Sequence, residues 1–312
     1  MHTLHKPEQA IEKSKTKKIR LEPADKVIRG FTYVFVSLFA LACLIPFVLI
    51  VSSSFSSEGA IRRTGFTLWP NDFSTYSYEL IFRNPDQIIG SYVITILMTL
   101  VGTVAGLYII AMTGYALQRK DFPFRNGISF YIYFTSLFAP GLVPFFMLMT
   151  QTYHLKDSYF AVLLPLLMSP WLIILMKNFI KAIPHEITES GKIDGAGDFS
   201  IFSKLILPNI TPALATIGLF LAIGYWNEWY YSSLFLTSNV AYKPLQYYLY
   251  NIINTAAALR NSVAGSNVTI ASLPSETLKM ATAVLATGPV ILVYPFVQKY
   301  FVAGLTVGAV KG

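Results

Sequence analysis

Apolar residues run along this chain in long blocks, with neither the alternation of a half-buried strand nor the single greasy stripe of a soluble helix. Crossing the hydrocarbon core of a bilayer takes roughly 20 such residues in a helix. Six blocks reach that length, at about 30–52, 88–117, 128–150, 159–180, 211–236 and 280–303. Only helices and closed barrels satisfy the backbone inside lipid. The pattern therefore predicts an all-α integral membrane protein with six transmembrane helices. There is no internal repeat and no low-complexity tract.

Composition agrees. Charged residues make up 13% of the 312, about half the share usual in soluble domains, near 25%. The net charge of +8 invites a nucleic-acid partner, but its placement speaks for membrane orientation instead. Placing the N-terminus inside puts 17 Lys and Arg in the inside segments and 7 outside. Lys and Arg are retained on the cytoplasmic side, so N-in, C-in is expected. Residues 1–29 hold eight of them and no evident cleavage site. They read as a disordered basic cytoplasmic arm ahead of a six-helix transmembrane domain over 30–312. The lone Cys43 lies within an apolar block, facing lipid or core, and has no internal disulfide partner.

Prolines interrupt the spans at Pro46, Pro140, Pro144, Pro165, Pro170, Pro289 and Pro295. Each removes a backbone donor, which is tolerated where neighbours or a water-filled cavity satisfy the freed carbonyl. Kinked packing and a cavity that changes form both remain open. Gly102, Ala105 and Gly106 allow close helix packing in the second span.

Between the fourth and fifth spans lies "ESGKIDGAGDFSIFSKLILP", residues 189–208. Pro184 to Ile193 reads as a short helix with Glu186 and Glu189 in its early turns. Asp194-Gly195-Ala196-Gly197 breaks it, Asp198 is expected to cap a second helix, and Phe199, Phe202, Leu205 and Ile206 give that helix an apolar stripe. Pro208 is expected to stop it. Such a hairpin either presents a greasy face to a protein partner or lies on lipid headgroups.

The stretch resembles the coupling signature of ABC importer permeases: Glu-Ala-Ala, three residues, Gly, nine residues, Ile, one residue, Leu-Pro. Glu189, Gly195, Leu207 and Pro208 match in place, Ser190-Gly191 replaces Ala-Ala, and Leu205 replaces Ile. Asp194-Gly195-Ala196 matches the triplet common in the sugar-importing branch, and "GLTVGAVKG" (304–312) is similar to the tail of maltose-transporter-type permeases. The resemblance implies a type I ABC importer permease fold in a bacterial cytoplasmic membrane, multi-pass, with a carbohydrate cargo, of the complex-oligosaccharide branch. It implies a heterodimer with a second homologous permease, a cytoplasmic ATPase dimer and an extracellular solute-binding protein. The hairpin (184–208) would insert into the ATPase, with Glu189 making a polar contact, Gly195 turning, and Phe199 and Phe202 filling the apolar part. Gly308 and Lys311 in the tail would reach toward the same subunit. The chain has no phosphate-binding Gly-x-x-x-x-Gly-Lys-Ser/Thr loop, so no cofactor is expected in it; ATP and magnesium belong to the partner.

For the cargo, "GYWNEWYYSS" (224–233) combines Asn227, Glu228, Trp229 and Tyr230. Aromatic faces with amide and carboxylate rims suit sugars, and an acid within a span marks function by default. An interfacial aromatic belt is the alternative for the rings. Trp171 and Tyr133 are further candidates. An ion-coupled secondary transporter or channel using Glu228 is the rival function, but it leaves hairpin and tail unexplained. The four histidines lie in the arm or in loops, and no hydrolase motif occurs.

Overall fold

The computed structural model describes residues 23–138, 140–237, 239–263 and 275–309. Among them the chain is helical, with one isolated bridge between Ser56 and Phe73 and no strand. It divides into two compact units, residues 1–49 and 50–312. Among its described residues the first is a single apolar helix, which opens at Pro23. That helix starts seven residues earlier than expected and runs to Ser54. Proline at its first position and Asp25 in its first turn suit a helix start. Pro46 lies inside it without ending it. Side chains of its first unit, Cys43 among them, are exposed.

In the second unit the Pro85–Gln118 helix is the axis. Its buried face mixes small and weakly polar residues, Ser91, Thr95, Gly102, Gly106 and Gly114, with the larger Ile88, Met98, Ile110, Tyr115 and Leu117. Its exposed face is Val93, Leu97, Leu100, Val101 and Val104. An exposed face of large aliphatic residues suits lipid as its solvent. Gly102 and Gly106 serve as expected: a Cβ at Gly102 would sit 2.3 Å from the Tyr225 ring, and one at Gly106 3.0 Å from the Leu167 carbonyl. Sparse hydrogen bonds tie the helices together. Tyr225 donates to the Leu163 carbonyl at 2.9 Å, Tyr92 to that of Leu285 at 2.9 Å, and Trp226 to that of Ala286 at 3.0 Å.

Among the described residues, three helices are long and apolar enough to cross a membrane, or up to six if each bent pair is one span. The expected third span is Arg125–Leu137 and Leu142–Thr152, bent by 114°; the fourth is Tyr159–Leu167 and Pro170–Lys181, bent by 41°. At the first break Gly141 takes φ +87°, beside Pro140. At the second, Met168 and Ser169 are extended, the conformation that Pro170 favours for its predecessor. Pro289 and Pro295 stay within the last helix, Glu276–Ala309.

Carboxylates fasten the loops. Glu58 accepts from the backbone of Glu276 and Thr277 at 3.0 and 3.1 Å, from both their neighbouring hydroxyls, and from Arg62. It thereby caps the last helix with a negative charge at its N-terminus. Burial opposes its charge, but these donors outweigh burial and hold its pKa below the usual carboxylate value. Asp157 accepts from Thr237 and Asn239, joining the loop after the third span to the residues following the fifth.

Candidate functional site

The hairpin forms where the sequence places it. Its first helix is His185–Ile193 and its second Asp198–Asn209, the latter widened to a π-turn over Ile201–Ile206. Gly195 sits at φ +75°. Its N–H bonds Lys192 O at 3.0 Å while that of Ala196 bonds Gly191 O at 2.9 Å, the paired closure of a helix that ends on a left-handed residue. Gly191 is buried; a Cβ there would meet Leu205 at 2.8 Å and Ile201 at 3.1 Å. The small residue thus serves packing within the hairpin. Ser190 and Glu189 are exposed, and Glu189 lies 3.3 Å from His185.

Four expectations change. Asp198 is not the cap; Gly197 precedes the helix and Asp198 is its first residue, pointing to Arg119 instead. Pro208 does not stop the helix, which ends at Asn209 before an 85° bend into Thr211–Trp226. Proline needs no donor there, because it opens the α-turn that follows the π-turn. Phe202 is buried against Tyr108 and Tyr115, with centroids 6.0 and 5.5 Å away, so it is core and not surface. Leu205 and Leu207 are half-buried in the same core. The exposed apolar tip is Phe199 together with Ile193, which is 86% exposed. Sequence reading missed Ile193; its signal was a lone apolar residue, between Lys192 and Asp194, at the end of a polar helix.

A charge cluster also escaped notice. Arg119 grips Asp121 with two hydrogen bonds, at 2.9 and 2.6 Å, and reaches Asp198 at 2.6 Å; Lys192 meets Asp121 at 2.7 Å. The end of the Pro85–Gln118 helix is thereby joined to both arms of the hairpin. Hydrogen bonds from Arg119 and then Lys192 hold Asp121 well below the usual carboxylate range, and the two acids push Arg119 higher still. Beside the cluster is a cavity of about 400 Å³, lined by Tyr115, Lys120, Lys181, His185 and Thr188.

The fifth-span residues part company. Glu228 is buried, and its carboxylate accepts from the backbone of Tyr231 and Ser232 and from the Ser232 hydroxyl. It thereby caps the Tyr230–Phe235 helix, and its charge is answered within the chain. An acid next to a helix start is answered by that helix's free donors. Asn227, Trp229 and Tyr230 are exposed. Trp229 packs on Tyr250 at 4.7 Å, and Asn227 accepts from Gln246 at 3.4 Å. Trp229, Gln246, Tyr250, Lys279 and Thr282 line a cavity of about 280 Å³. Trp171 is exposed and stands edge-on to Phe220. In the tail, Gly308 falls in the last turns of the final helix, and Lys311 lies outside the described residues.

A helical membrane unit with a charged hairpin between spans is the architecture of a transporter permease, and residues 111–307 match the family described as "binding-protein-dependent transport system inner membrane component". The chain belongs to that family; it is an ABC-type permease subunit and not an enzyme. Over 90% of its length it is 37% identical to the polygalacturonan/rhamnogalacturonan transport system permease protein YtcP of Bacillus subtilis, covering 96% of that protein. It is 27% identical to the arabinooligosaccharides transport system permease protein AraQ of the same species, over 94% of this chain and all of that one. Among solved structures it resembles a chain of a bacterial ABC transporter involved in the import of the acidic polysaccharide alginate. The TM-score is 0.73 with 33% identity, over 90% of this chain and 99% of the other.

Proposed function

We propose that this chain is one half of the membrane pathway of an ATP-driven, binding-protein-dependent oligosaccharide importer in a bacterial cytoplasmic membrane. A second, homologous permease supplies the other half, and ATP is hydrolysed by a separate cytoplasmic subunit. Six spans, N-in and C-in, place the hairpin in the cytosol. The observation that carries this reading is the hairpin tip. Ile193 and Phe199 stand exposed on a turn that is braced by Gly195, packed through Gly191 and tied down by Arg119. An exposed apolar tip on a rigid base is a docking element. Glu189, Ser190 and Asp194 form its polar rim.

The mechanical path is continuous. The hairpin's second helix bends by 85° into Thr211–Trp226, whose Tyr225 lies on the bare backbone at Gly102. Movement of the docked hairpin is passed into that helix, which can shift along a smooth glycine face. The cargo class follows the relatives: one named above belongs to an importer of the acidic polysaccharide alginate and another is named for polygalacturonan, whose galacturonate units carry carboxylates, so an acidic oligosaccharide is the proposed cargo. Trp229 and Tyr250 offer ring faces to the sugar, and Asn227 and Gln246 offer amides. The rival use of Glu228 as an ion-coupling acid is disfavoured by its role as a cap.

Co-purification with the ATPase tests the docking. Ile193→Asp with Phe199→Asp, and separately Glu189→Lys, should lose the ATPase subunit and ATP-dependent uptake while the chain still inserts. Normal association and uptake in the double variant would end the proposal.

A further inference from the structure

A larger cavity, of about 810 Å³, lies among Tyr76, Arg83, Gln87, Lys243, Tyr248 and Asn251, within the size usual for ligand sites, roughly 300–1,000 Å³. In the proposed topology it faces outside. Its charge is unusual for these loops. Arg62 is paired with Glu58, Arg63 with Asp72 and Lys279 with Glu276, and Lys156 stands beside Asp157. Two further cations of the outer segments, Arg83 and Lys243, have no ion pair among the described residues, and both line this cavity. Lys243 rests over the Tyr247 ring, 5.1 Å from its centroid. No Asp or Glu is among the lining residues. Two acids neighbour lining residues in the chain, Glu79 beside Leu80 and Asp86 between Asn84 and Gln87, and among the described residues neither is ion-paired with Arg83 or Lys243; Asp157 holds the lining residue Asn239 and is itself satisfied by Thr237. Asn251 adds a second sign: its side-chain Nδ2 is buried and has no acceptor. A buried amide donor without a partner costs about 1–3 kcal/mol, and an anionic oxygen entering the cavity would satisfy it.

We infer that this cavity is an outer receiving site for the carboxylates of a uronate-bearing oligosaccharide, with Arg83 and Lys243 as the reading cations and Asn251 as an inner donor. Two unneutralised charges around a concavity focus the field and gather anions. Guanidinium and carboxylate bind as a fork, which adds orientation to attraction. The site is distinct from the Trp229 cavity. The Leu245–Val263 helix stands between them, giving Gln246, Leu249, Tyr250 and Ile253 to one cavity and Tyr248, Asn251, Ile252 and Thr255 to the other. The sugar ring and its acid group are thus read on opposite faces of one helix.

The inference rests on the acidic-cargo reading, and the test separates the two. The complete transporter in sealed vesicles is given trigalacturonate or its fully methyl-esterified form. Arg83→Gln with Lys243→Gln should raise the half-saturating trigalacturonate concentration about tenfold, or roughly 1.4 kcal/mol. The ester should shift by less than about twofold. Arg83→Lys with Lys243→Arg keeps both charges but moves the fork, so it should fall between wild type and the glutamine variant; a loss as large as that of the glutamine variant would point to the fold and overturn the inference. Equal losses for both probes would mean that these residues dock the binding protein or support the fold, and would overturn the inference. So would no loss for either. Wild-type uptake of the ester alone, or of neither probe, would overturn the acidic-cargo reading and the inference with it.

Discussion

Gly191 and Gly195 stand four residues apart and do different work. Gly195 is in open space at φ +75°, so a side chain there strains only the backbone. Gly191 has ordinary helical geometry and no room. Gly195→Ala should cost about 1–2 kcal/mol of hairpin stability, and Gly191→Leu about 1–3 kcal/mol through overpacking against Leu205 and Ile201. Limited proteolysis of the hairpin in detergent reads both, and the leucine variant should be cut sooner. Glu228 separates rival functions at the same scale. If it is a cap, Glu228→Gln lowers the thermal midpoint of the purified protein, with a loss of about 1–3 kcal/mol for disturbed buried acceptors. Uptake per folded molecule then stays near wild type. Unchanged stability with abolished uptake would restore it as an ion site.

At the scale of elements, the Arg119–Asp121–Lys192–Asp198 cluster joins the end of one span to both arms of the hairpin. Arg119→Ala should leave the ATPase bound, because the tip is untouched, while lowering sugar moved per ATP hydrolysed by several-fold. A fall in ATPase binding instead would make the cluster part of the dock. Asp121 is held below its ordinary value of 3.8. A depressed acid contributes fully above its unfolded pKa and loses that contribution only as pH falls through the lower folded value. The joint should therefore keep coupling flat from pH 5 to 8. Much of this hairpin was legible in the chain, because glycine placement and helix length are local properties. Which ring faces out was not. Phe199 and Phe202 share a stripe in any regular helix, and only packing against Tyr108 and Tyr115 separates them. Glu228 misled for a related reason: an acid in an apolar run signals function only when its donors are not already adjacent, and here Tyr231 and Ser232 supply them. The unpaired status of Arg83 and Lys243 was equally out of reach, since an absent ion pair is a tertiary fact.

Across the whole second unit, one helix relates the two proposed sites. Pro85–Gln118 has 34 residues, about 50 Å at roughly 1.5 Å each, well beyond a hydrocarbon core of about 30 Å. Arg83 and Gln87 flank its start, and Arg119 and Asp121 follow its end. If it crosses the bilayer once, the basic cavity and the hairpin must lie on opposite sides, whatever the other spans do. In the proposed topology, which rests on the 17 to 7 distribution of Lys and Arg, the hairpin is inside. Accessibility tests this directly. In a Cys43→Ser background, Lys243→Cys should react with a membrane-impermeant maleimide on intact cells. Ile193→Cys should react only after the membrane is opened, and should be shielded again when the ATPase is bound. Labelling of both from outside would end the six-span arrangement and the docking of the hairpin together. Labelling of Ile193→Cys from inside, with no shielding by the ATPase, would keep the topology and remove the dock, leaving the hairpin as a brace for the Thr211–Trp226 helix.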